Sequence, residues 1–352
     1  MMSGTPFGVI GLGTWGSLHA RVYATTPGVR LAAVADLDAD RARDVAAATG
    51  AGRWTASYRD LLADPAIRAV SVVLPDFLHR DAVVAACEAG KHVLVEKPLA
   101  TTEADGLAML AAARANGVRL CVDFHNRFNP LFWGLKEALA SGELGEPQHC
   151  YYRLSDTLFV PTQMLRWSGQ SSVAWFLASH CLDTLLWLME SRTGRDCVER
   201  VYCVTRSRVL ARERGIPTPD FYLTTLEWRS GLVTQVENSW ILPEGGPSVF
   251  DLQCDFVGSG GAYSVNGSHH GAARRLTDRL TYPDVLVSPT VAGRPVGFGA
   301  ESIRHFADCI RAGASPCMDA VDGLAVTRLI LQMEESARRR QPVDVADLYA
   351  LP

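Results

Sequence analysis

The sequence lacks an excess of either charge. Its 34 Lys and Arg residues nearly balance its 38 Asp and Glu residues, and the formal net charge of the 352-residue chain is −4 at pH 7. Proteins that bind nucleic acid or an anionic membrane surface usually present clustered basic residues. We therefore expect no nucleic-acid partner and no membrane partner.

Long apolar runs and ordered cysteine patterns are also missing. Polar or charged residues interrupt every apolar stretch before it is long enough to span a bilayer. Residues 1–6 lead directly into a predicted strand, without the basic and apolar segments of a secretory signal. The nine cysteines include no C-x-x-C pair, and an odd number cannot form a complete set of disulfides. We expect a reduced, cytoplasmic protein.

A metal-ligand pattern is absent from the sequence as well. His269 and His270 lie in a loop bounded by glycines, and no partner residue stands at metal-ligand spacing from them. The sequence therefore predicts no metal site.

The first third of the chain alternates between apolar strands and helical segments. A length of 352 residues favours two domains, each with its own core. Strands are predicted at residues 7–10, 31–35, 69–74, 92–95 and 119–122. Strands that alternate with helices are typical of an α/β fold with a doubly wound parallel sheet, covered on both faces.

The pattern changes after residue 123. Alternation typical of strands with one packed face occurs at residues 200–204, 221–228, 232–240 and 250–257. Helices are predicted at residues 130–141, 180–189, 301–312 and 324–340. We therefore predict an α/β domain over residues 1–123 and an α+β domain over residues 124–352 with a large, mainly antiparallel open sheet. We expect the C-terminal helix to pack back on the first domain.

A glycine pattern lies between the first predicted strand and the first predicted helix. It reads Gly11-Leu12-Gly13-Thr14-Trp15-Gly16. In such a turn the first glycine permits a tight bend, the second lets a pyrophosphate approach the backbone, and the third lets the helix pack on the sheet. The amino end of the helix then offers N–H groups to the phosphates. The alternative is a glycine-rich turn that binds nothing.

An acidic residue supports the dinucleotide interpretation. Asp36 lies 20 positions after Gly16, at the end of the second predicted strand. Its carboxylate would accept hydrogen bonds from the adenosine ribose and repel a 2′-phosphate. Leu37 follows at a position where NADP enzymes often have arginine. The sequence therefore predicts NAD as the cofactor rather than NADP.

Two further strands end in short polar motifs. These are Leu74-Pro75-Asp76 and Glu96-Lys97-Pro98. Ligands of doubly wound sheets bind beyond the carboxyl ends of the strands, so we expect both motifs to flank the nicotinamide ribose and ring. The proline after Lys97 restricts the backbone that carries this side chain. The alternative is a solvated surface lysine that caps the next helix.

Together these segments resemble the glucose–fructose oxidoreductase, inositol dehydrogenase and MocA family. The matching stretches are residues 11–16, 72–79, 88–100 and 125–130. The resemblance implies a Rossmann domain followed by an α/β domain whose open sheet buries one face in a homodimer or homotetramer. It also implies NAD(P)-linked oxidation of a secondary hydroxyl, or the reverse, on a small-molecule sugar, cyclitol or derivative.

The resemblance further implies roles for individual residues. Lys97 contacts the reacting oxygen, and His180 is the family's histidine on a helix of the second domain. Cofactor contacts extend to His79 and Asn126. Substrate contacts are implied, besides Lys97 and His180, for His125, Arg127, Trp167, Phe176 and Asp183.

The chain departs from the family pattern beside His180. The family often has Asp-x-Gly-x-His-x-x-Asp, whereas residues 176–183 keep Asp183 but place Phe176 where the first carboxylate would be. We expect Phe176, His180, Asp183 and Trp187 to share one helical face. Two smaller departures are Asp76, where asparagine is usual, and Asn126, where several sugar dehydrogenases have arginine.

These departures lead to a hypothesis about proton transfer. Because His180 lacks the partner carboxylate, we expect Lys97 to carry more of the proton transfer and His180 to position the substrate or relay the proton. Phe176 favours a substrate with an apolar or bulky group, such as a glycoside or amino sugar. The alternatives are a core histidine satisfied by backbone and aromatic residues that only fill the core.

Three functions follow from the sequence. The first is an NAD-dependent dehydrogenase or ketoreductase of a sugar, cyclitol or sugar derivative. The second is a glycosidase-type enzyme of the same family that oxidises and reduces its NAD within one cycle. The third is a regulatory protein that senses NAD(H) or a sugar. The presence of both Lys97 and His180 favours an enzyme.

Overall fold

The computed structural model describes residues 4–191 and 194–351 of the chain. Proximity of Cα atoms divides the chain into two compact units. Unit one comprises residues 1–128 and 286–324, and unit two comprises residues 129–285 and 325–352. The domain limits expected from the sequence, and the packing of the C-terminal helix on the first domain, stay predictions.

Unit one contains a six-stranded parallel sheet. Its strands, labelled β1 to β6 in chain order, are Thr5–Ile10, Val29–Ala35, Arg53–Thr55, Ala69–Val72, His92–Val95 and Leu120–Val122. They are arranged in the order β3-β2-β1-β4-β5-β6, and all neighbours are parallel. The chain order reverses between β1 and β4, which is where ligands of such sheets bind, beyond the carboxyl ends of the strands.

Helices cover this sheet. The first five, labelled α1 to α5, are Thr14–Thr25, Ala39–Thr49, Tyr58–Leu62, His79–Glu88 and Glu103–Ala115. Unit one also contains the later helix Phe298–Ala312, the short strand pair Thr290–Val291 and Arg294–Pro295, and the 3-10 turns Asp76–Leu78 and His125–Phe128.

Aromatic side chains tie β1 to its helices. The Phe7 ring lies 4.8 Å from the Tyr23 ring of α1 and 6.1 Å from the Phe306 ring, measured between centroids. All three side chains are fully buried. Burial of such large rings stabilises the contact between sheet and helix, and it holds α1 against the strand that leads into the glycine turn.

Unit two contains a seven-stranded mixed sheet. In spatial order its strands are Ala262–Asn266, Phe250–Gly258, Pro147–Asp156, Val233–Ser239, Phe221–Trp228, Val198–Arg206 and Val343–Asp344. All neighbours are antiparallel except Pro147–Asp156 and Val233–Ser239, which are parallel. The predicted fold class, a parallel doubly wound domain followed by a mainly antiparallel open sheet, is confirmed.

The helical segments of unit two include several π-helical turns. The α-helices are Pro130–Ser141 and Ser179–Leu188, and Ala320–Arg339 begins in unit one and ends in unit two. The π-helical turns are Val160–Met164, Ala174–Ala178 and Val209–Glu213, and a 3-10 turn spans Ser168–Gln170. Short paired strands occur at Glu190–Ser191 with Gly194–Arg195 and at Arg274–Arg275 with Leu280–Thr281.

One face of the unit-two sheet is packed and the other is open. Along Phe221–Trp228 the buried positions are Tyr222, Thr224, Leu226 and Trp228, whereas Leu223 is 47% exposed. This period of two is typical of an antiparallel strand with one face on the core. A homodimer or homotetramer through the open face stays a prediction.

The described part of the chain holds no helix with the length and apolar character needed to cross a bilayer.

Candidate functional site

The glycine turn after β1 has the geometry of a phosphate cradle. Gly11 adopts a φ of +85°, and a Cβ there would lie 2.1 Å from the carbonyl oxygen of Val73. A Cβ on Gly16 would lie 1.9 Å from the carbonyl oxygen of Gly11. A Cβ on Gly13 would meet nothing within 4 Å. Packing of the protein therefore demands glycine at the first and third positions, whereas the second borders open space where a pyrophosphate fits.

The amino end of α1 is open as well. Gly13 is the N-cap residue, and no side chain caps this end of the helix. The first N–H groups of a helix lack partners within the helix and favour an anion. These residues fit a dinucleotide, whose phosphates would supply the missing acceptors.

Asp36 fastens the glycine turn from the end of β2. Its Oδ2 accepts a hydrogen bond of 2.7 Å from the Leu12 N–H, and its Oδ1 accepts one of 2.9 Å from the Asp38 N–H. The guanidinium of Arg41 lies 3.2 Å from the same carboxylate. Leu37 is 92% exposed. Asp36 therefore stands beside the cradle, where the sequence predicts an adenosine ribose contact.

The ends of β4 and β5 are joined through His79. This imidazole is fully buried, with Nδ1 2.9 Å from the carbonyl oxygen of Pro98 and Nε2 2.9 Å from that of Leu74. Both nitrogens thus face backbone, and the cofactor contact implied for His79 stays a prediction. These contacts hold the two polar motifs, Leu74-Pro75-Asp76 and Glu96-Lys97-Pro98, together beyond the carboxyl ends of β4 and β5.

Lys97 and Asp76 are placed at these strand ends. Lys97 is half-buried. Asp76 is 5% exposed, and its Oδ1 accepts a 2.8 Å hydrogen bond from the Phe77 N–H at the start of a 3-10 turn. Their roles toward the cofactor and the substrate stay predictions.

Glu96 turns inward, into a cluster that the sequence does not predict. Its Oε1 lies 3.1 Å from His19 Nε2, and the same nitrogen lies 3.4 Å from Asp123 Oδ2. Burial opposes the charge on His19, but the carboxylates of Asp123 and Glu96 outweigh it and raise the pKa of His19 to about 9. A polar residue on the apolar inner face of α1 is the sequence signal that marks His19.

The segment after β6 packs on the glycine turn. Within unit one, the His125 ring stacks on the Trp15 ring, and its pKa is lowered by burial. Asn126 and Arg127 are buried too, and the Arg127 guanidinium lies 2.9 Å from Asp322. The substrate contacts implied for His125 and Arg127, and the cofactor contact implied for Asn126, stay predictions.

In unit two, Phe176 lies in a π-helical turn that directly precedes the α-helix carrying His180. Phe176 lies in Ala174–Ala178, and His180 lies in Ser179–Leu188. The shared face expected for Phe176, His180, Asp183 and Trp187 stays a prediction. The Trp187 ring packs on the Trp133 ring, with centroids 5.4 Å apart.

Phe176 belongs to an aromatic group. Its ring centroid lies 6.1 Å from that of Trp167 and 5.8 Å from that of the fully buried Trp240. Phe176 and Trp167 are half-buried. His180 and Asp183 are 9% and 1% exposed. The structure therefore brings Trp167 and Phe176 together, and Trp240 is a member of this group that the sequence does not reveal.

Two family models match the chain in succession. A model described as an oxidoreductase family with an NAD-binding Rossmann fold matches residues 6–124, and a model of the GFO/IDH/MocA C-terminal domain matches residues 132–264. Inositol 2-dehydrogenase 1 of Saccharopolyspora erythraea is 35% identical over 362 aligned positions, which cover 98% of each chain. The chain belongs to the Gfo/Idh/MocA oxidoreductase family.

Two further relatives agree with this membership. The scyllo-inositol 2-dehydrogenase (NAD(+)) of Bacillus subtilis is 28% identical, covering 96% of this chain and 95% of the relative. The crystal structure of scyllo-inositol dehydrogenase from Lactobacillus casei with bound NAD(H) and scyllo-inositol has a TM-score of 0.81 at 16% identity. It covers 98% of this chain and 100% of the other, and the likeness concerns the fold.

Family membership confirms the enzyme class and the cofactor predicted from the sequence. The protein is a dehydrogenase or ketoreductase that acts on CH–OH groups and uses NAD. The glycine turn, the open end of α1 and Asp36 are the residues that would hold this cofactor.

Proposed function

We propose that the protein transfers hydride between NAD and a secondary hydroxyl of a cyclitol or cyclic sugar derivative. The observation that carries this proposal is the similarity to inositol 2-dehydrogenase 1 over 98% of the chain, together with Lys97 at the carboxyl end of β5, in the same parallel sheet as the strand that leads into the glycine turn. When bound, NAD accepts the hydride from the carbon that bears the hydroxyl.

Lys97 is proposed to contact the reacting oxygen. It follows β5 directly, the residue is half-buried, and its ammonium can donate a hydrogen bond to the oxygen as negative charge develops there. In its neutral amine form the same group could accept the hydroxyl proton. His180 is proposed to position the substrate or relay that proton.

The aromatic group of unit two is proposed to select the substrate. The aromatic rings of Trp167 and Phe176 suit the C–H face of a six-membered ring. A carboxylate at position 176 would instead bind hydroxyl groups. We therefore propose that a cyclitol or sugar with an apolar or bulky substituent, such as a glycoside or an amino sugar, is preferred over free inositol.

Formation of NADH on a panel of compounds tests this proposal. The panel contains myo-inositol, scyllo-inositol, simple glycosides and amino sugars, each supplied with NAD and then with NADP. We expect net NADH formation with at least one cyclic polyol and a preference for NAD. Conversion of a glycoside to free sugar without net NADH would contradict the proposal, because a glycosidase-type cycle leaves the cofactor pool unchanged.

Lys97→Ala is the companion to this panel. It should lower kcat for NADH formation by about 10²–10⁴-fold while NADH still binds, because the glycine turn and Asp36 are unchanged. Full activity of this variant would show that another residue meets the reacting oxygen.

A further inference from the structure

Three buried ionisable side chains meet behind the strand ends of unit one. His19 lies in the middle of α1, Glu96 follows the last residue of β5, and Asp123 follows the last residue of β6. Their exposed fractions are 0%, 7% and 0%. Because Lys97 is the next residue after Glu96, this cluster adjoins the residue proposed to contact the reacting oxygen.

The ring of His19 meets polar partners at both nitrogens. Nε2 faces the carboxylates of Glu96 and Asp123, and Nδ1 lies 2.9 Å from the Ser71 hydroxyl oxygen. That oxygen lies 2.6 Å from the Tyr23 hydroxyl. Ionised carboxylates only accept hydrogen bonds, so Nε2 carries a proton, while Ser71 can accept from Nδ1–H and donate to Tyr23. These partners accommodate a doubly protonated imidazolium.

Asp123 shows why a positive charge belongs here. Its side chain is fully buried, and its Oδ2 lies 3.4 Å from His19 Nε2. A buried carboxylate without a compensating charge is strongly destabilising. His19, at 3.4 Å, supplies that charge, and its raised pKa keeps it protonated at neutral pH.

We propose that His19 is a positioning residue for hydride transfer. As an imidazolium it binds the carboxylates of Glu96 and Asp123 and fixes the ends of β5 and β6. A shift of the Glu96 carboxylate turns the backbone from which Lys97 extends, and misplacement of a reacting group by about 1 Å can cost about 100-fold in rate. This inference rests on the role proposed for Lys97.

A divalent cation is the alternative occupant of the cluster. The ligand atoms of His19, Glu96 and Asp123 lie within 4.8 Å of one another, and zinc accepts an imidazole and two carboxylates. A proton accounts for the contacts with fewer components, because 3.1 Å between Nε2 and Oε1 is an ordinary N–H···O distance. Metal content is therefore measured alongside protonation.

The first experiment needs no substrate. The wild-type protein is labelled with ¹⁵N at histidine and examined by NMR at neutral pH, with His19→Gln to identify the His19 signals. We expect both nitrogens of His19 to be protonated, and elemental analysis to find no stoichiometric divalent metal. A neutral ring, or one metal ion per chain that resists dialysis, would overturn the proposal. Because turnover is not required, this result is independent of the proposed substrate.

The second experiment separates positioning from stability. His19→Gln is compared with His92→Gln, which removes a histidine from the opposite end of β5, where Nδ1 accepts a 3.0 Å hydrogen bond from the Arg119 N–H. We expect His19→Gln to lower kcat about 10- to 100-fold with little change in NADH affinity. We expect His92→Gln to lower only the unfolding temperature.

A second substitution supplies the rescue. In the His19→Gln background, Asp123→Asn removes the uncompensated carboxylate and should restore part of kcat. Equal kcat values for wild type and His19→Gln, compared where both are folded, would overturn the proposal, as would equal losses of kcat in His19→Gln and His92→Gln.

Discussion

The indole of Trp15 lies parallel to the imidazole of His125, with ring centroids 4.9 Å apart and planes 9° apart. The centroid of the Phe298 ring lies 5.5 Å from that of the His125 ring. Burial lowers the pKa of His125, against the opposing charges of Asp123 and Glu96, so the ring stacks in its neutral form at neutral pH. Trp15 belongs to the glycine turn, and the stack therefore ties the cofactor cradle to the segment after β6.

This stack predicts an effect on cofactor binding. We expect His125→Ala to weaken NADH binding severalfold, since an aromatic pair contributes about 0.5–1.5 kcal/mol, and His125→Phe to retain most of the affinity. Titration of intrinsic fluorescence with NADH measures both. Equal affinities of the alanine and phenylalanine variants would show that the stack does not support the cradle.

The second and third glycines of the turn should respond differently to alanine. In Gly13→Ala the new methyl group meets no protein atom within 4 Å, so we expect an unchanged unfolding temperature but weaker NADH binding. In Gly16→Ala the methyl group would overlap the Gly11 carbonyl oxygen, so we expect a loss of stability. Thermal unfolding and NADH titration distinguish the two. Normal NADH affinity in Gly13→Ala would contradict the assignment of the cradle.

Lys97 and His180 are expected to contribute unequally to turnover. Lys97→Ala should lower kcat by about 10²–10⁴-fold, the usual contribution of a proton-transfer group, and His180→Ala should cost clearly less. Lys91→Met is the control. Lys91 lies just before β5, at the end of the strand opposite Lys97, and its ammonium donates a hydrogen bond to the carbonyl oxygen of Asp64. A loss in His180→Ala as large as that in Lys97→Ala would refute the unequal roles.

Phe176 is expected to control substrate choice. Phe176→Asp restores the carboxylate of the family pattern and should raise kcat/KM for free inositol relative to glycosides or amino sugars by about tenfold. Phe176→Leu, which removes the ring without adding charge, should lower kcat/KM for the substituted compounds without favouring inositol. An unchanged ratio in Phe176→Asp would place this side chain outside the substrate's reach.

Stability should fall with rising pH in two separate steps. The folded-state pKa of His19, about 9, lies above its ordinary value of 6.5, so its stabilisation is complete below about pH 6.5 and is lost as the pH rises to about 9. Over this range the free energy of unfolding falls by about 3 kcal/mol. Burial raises the pKa of Glu334 from 4.5 to about 7, although a hydrogen bond from Trp175 acts in the opposite direction. The free energy of unfolding therefore falls as the pH rises from about 4.5 to about 7, where the buried carboxyl group must ionise.

Urea unfolding across pH 5 to 9 measures both steps. We expect His19→Gln to flatten the dependence above about pH 7 and Glu334→Gln to flatten it below about pH 7. If the slope above pH 7 persists in His19→Gln, another group controls it.

Much of the fold could be predicted because its signals are local. The glycine turn, the apolar strands and the helix Pro130–Ser141 follow from patterns within a few residues of one another. The edge strand Val343–Asp344 could not be predicted, because two residues carry no periodicity and their pairing with Val198–Arg206 spans more than a hundred positions. The π-helical turn before His180 changes the helical period without a proline or glycine to mark it.

The candidate site could be predicted only in part, because some of its contacts join residues far apart in the sequence. Lys97 could be found because a strand end, a proline and a family motif coincide at one place. The cluster of His19, Glu96 and Asp123 joins single residues from three elements, 77 and 27 positions apart along the chain. No short motif contains such a cluster, and only the packing of α1 on the sheet brings its members together.

Because Asp36 also hydrogen-bonds the glycine turn, removing its charge is not sufficient to change the cofactor from NAD to NADP. Replacement by a small neutral residue would admit a 2′-phosphate, and Arg41 already stands beside that position. It would also take the acceptor from the Leu12 N–H and so loosen the turn that grips the pyrophosphate. An engineered NADP enzyme should therefore start from asparagine, whose amide oxygen keeps that hydrogen bond.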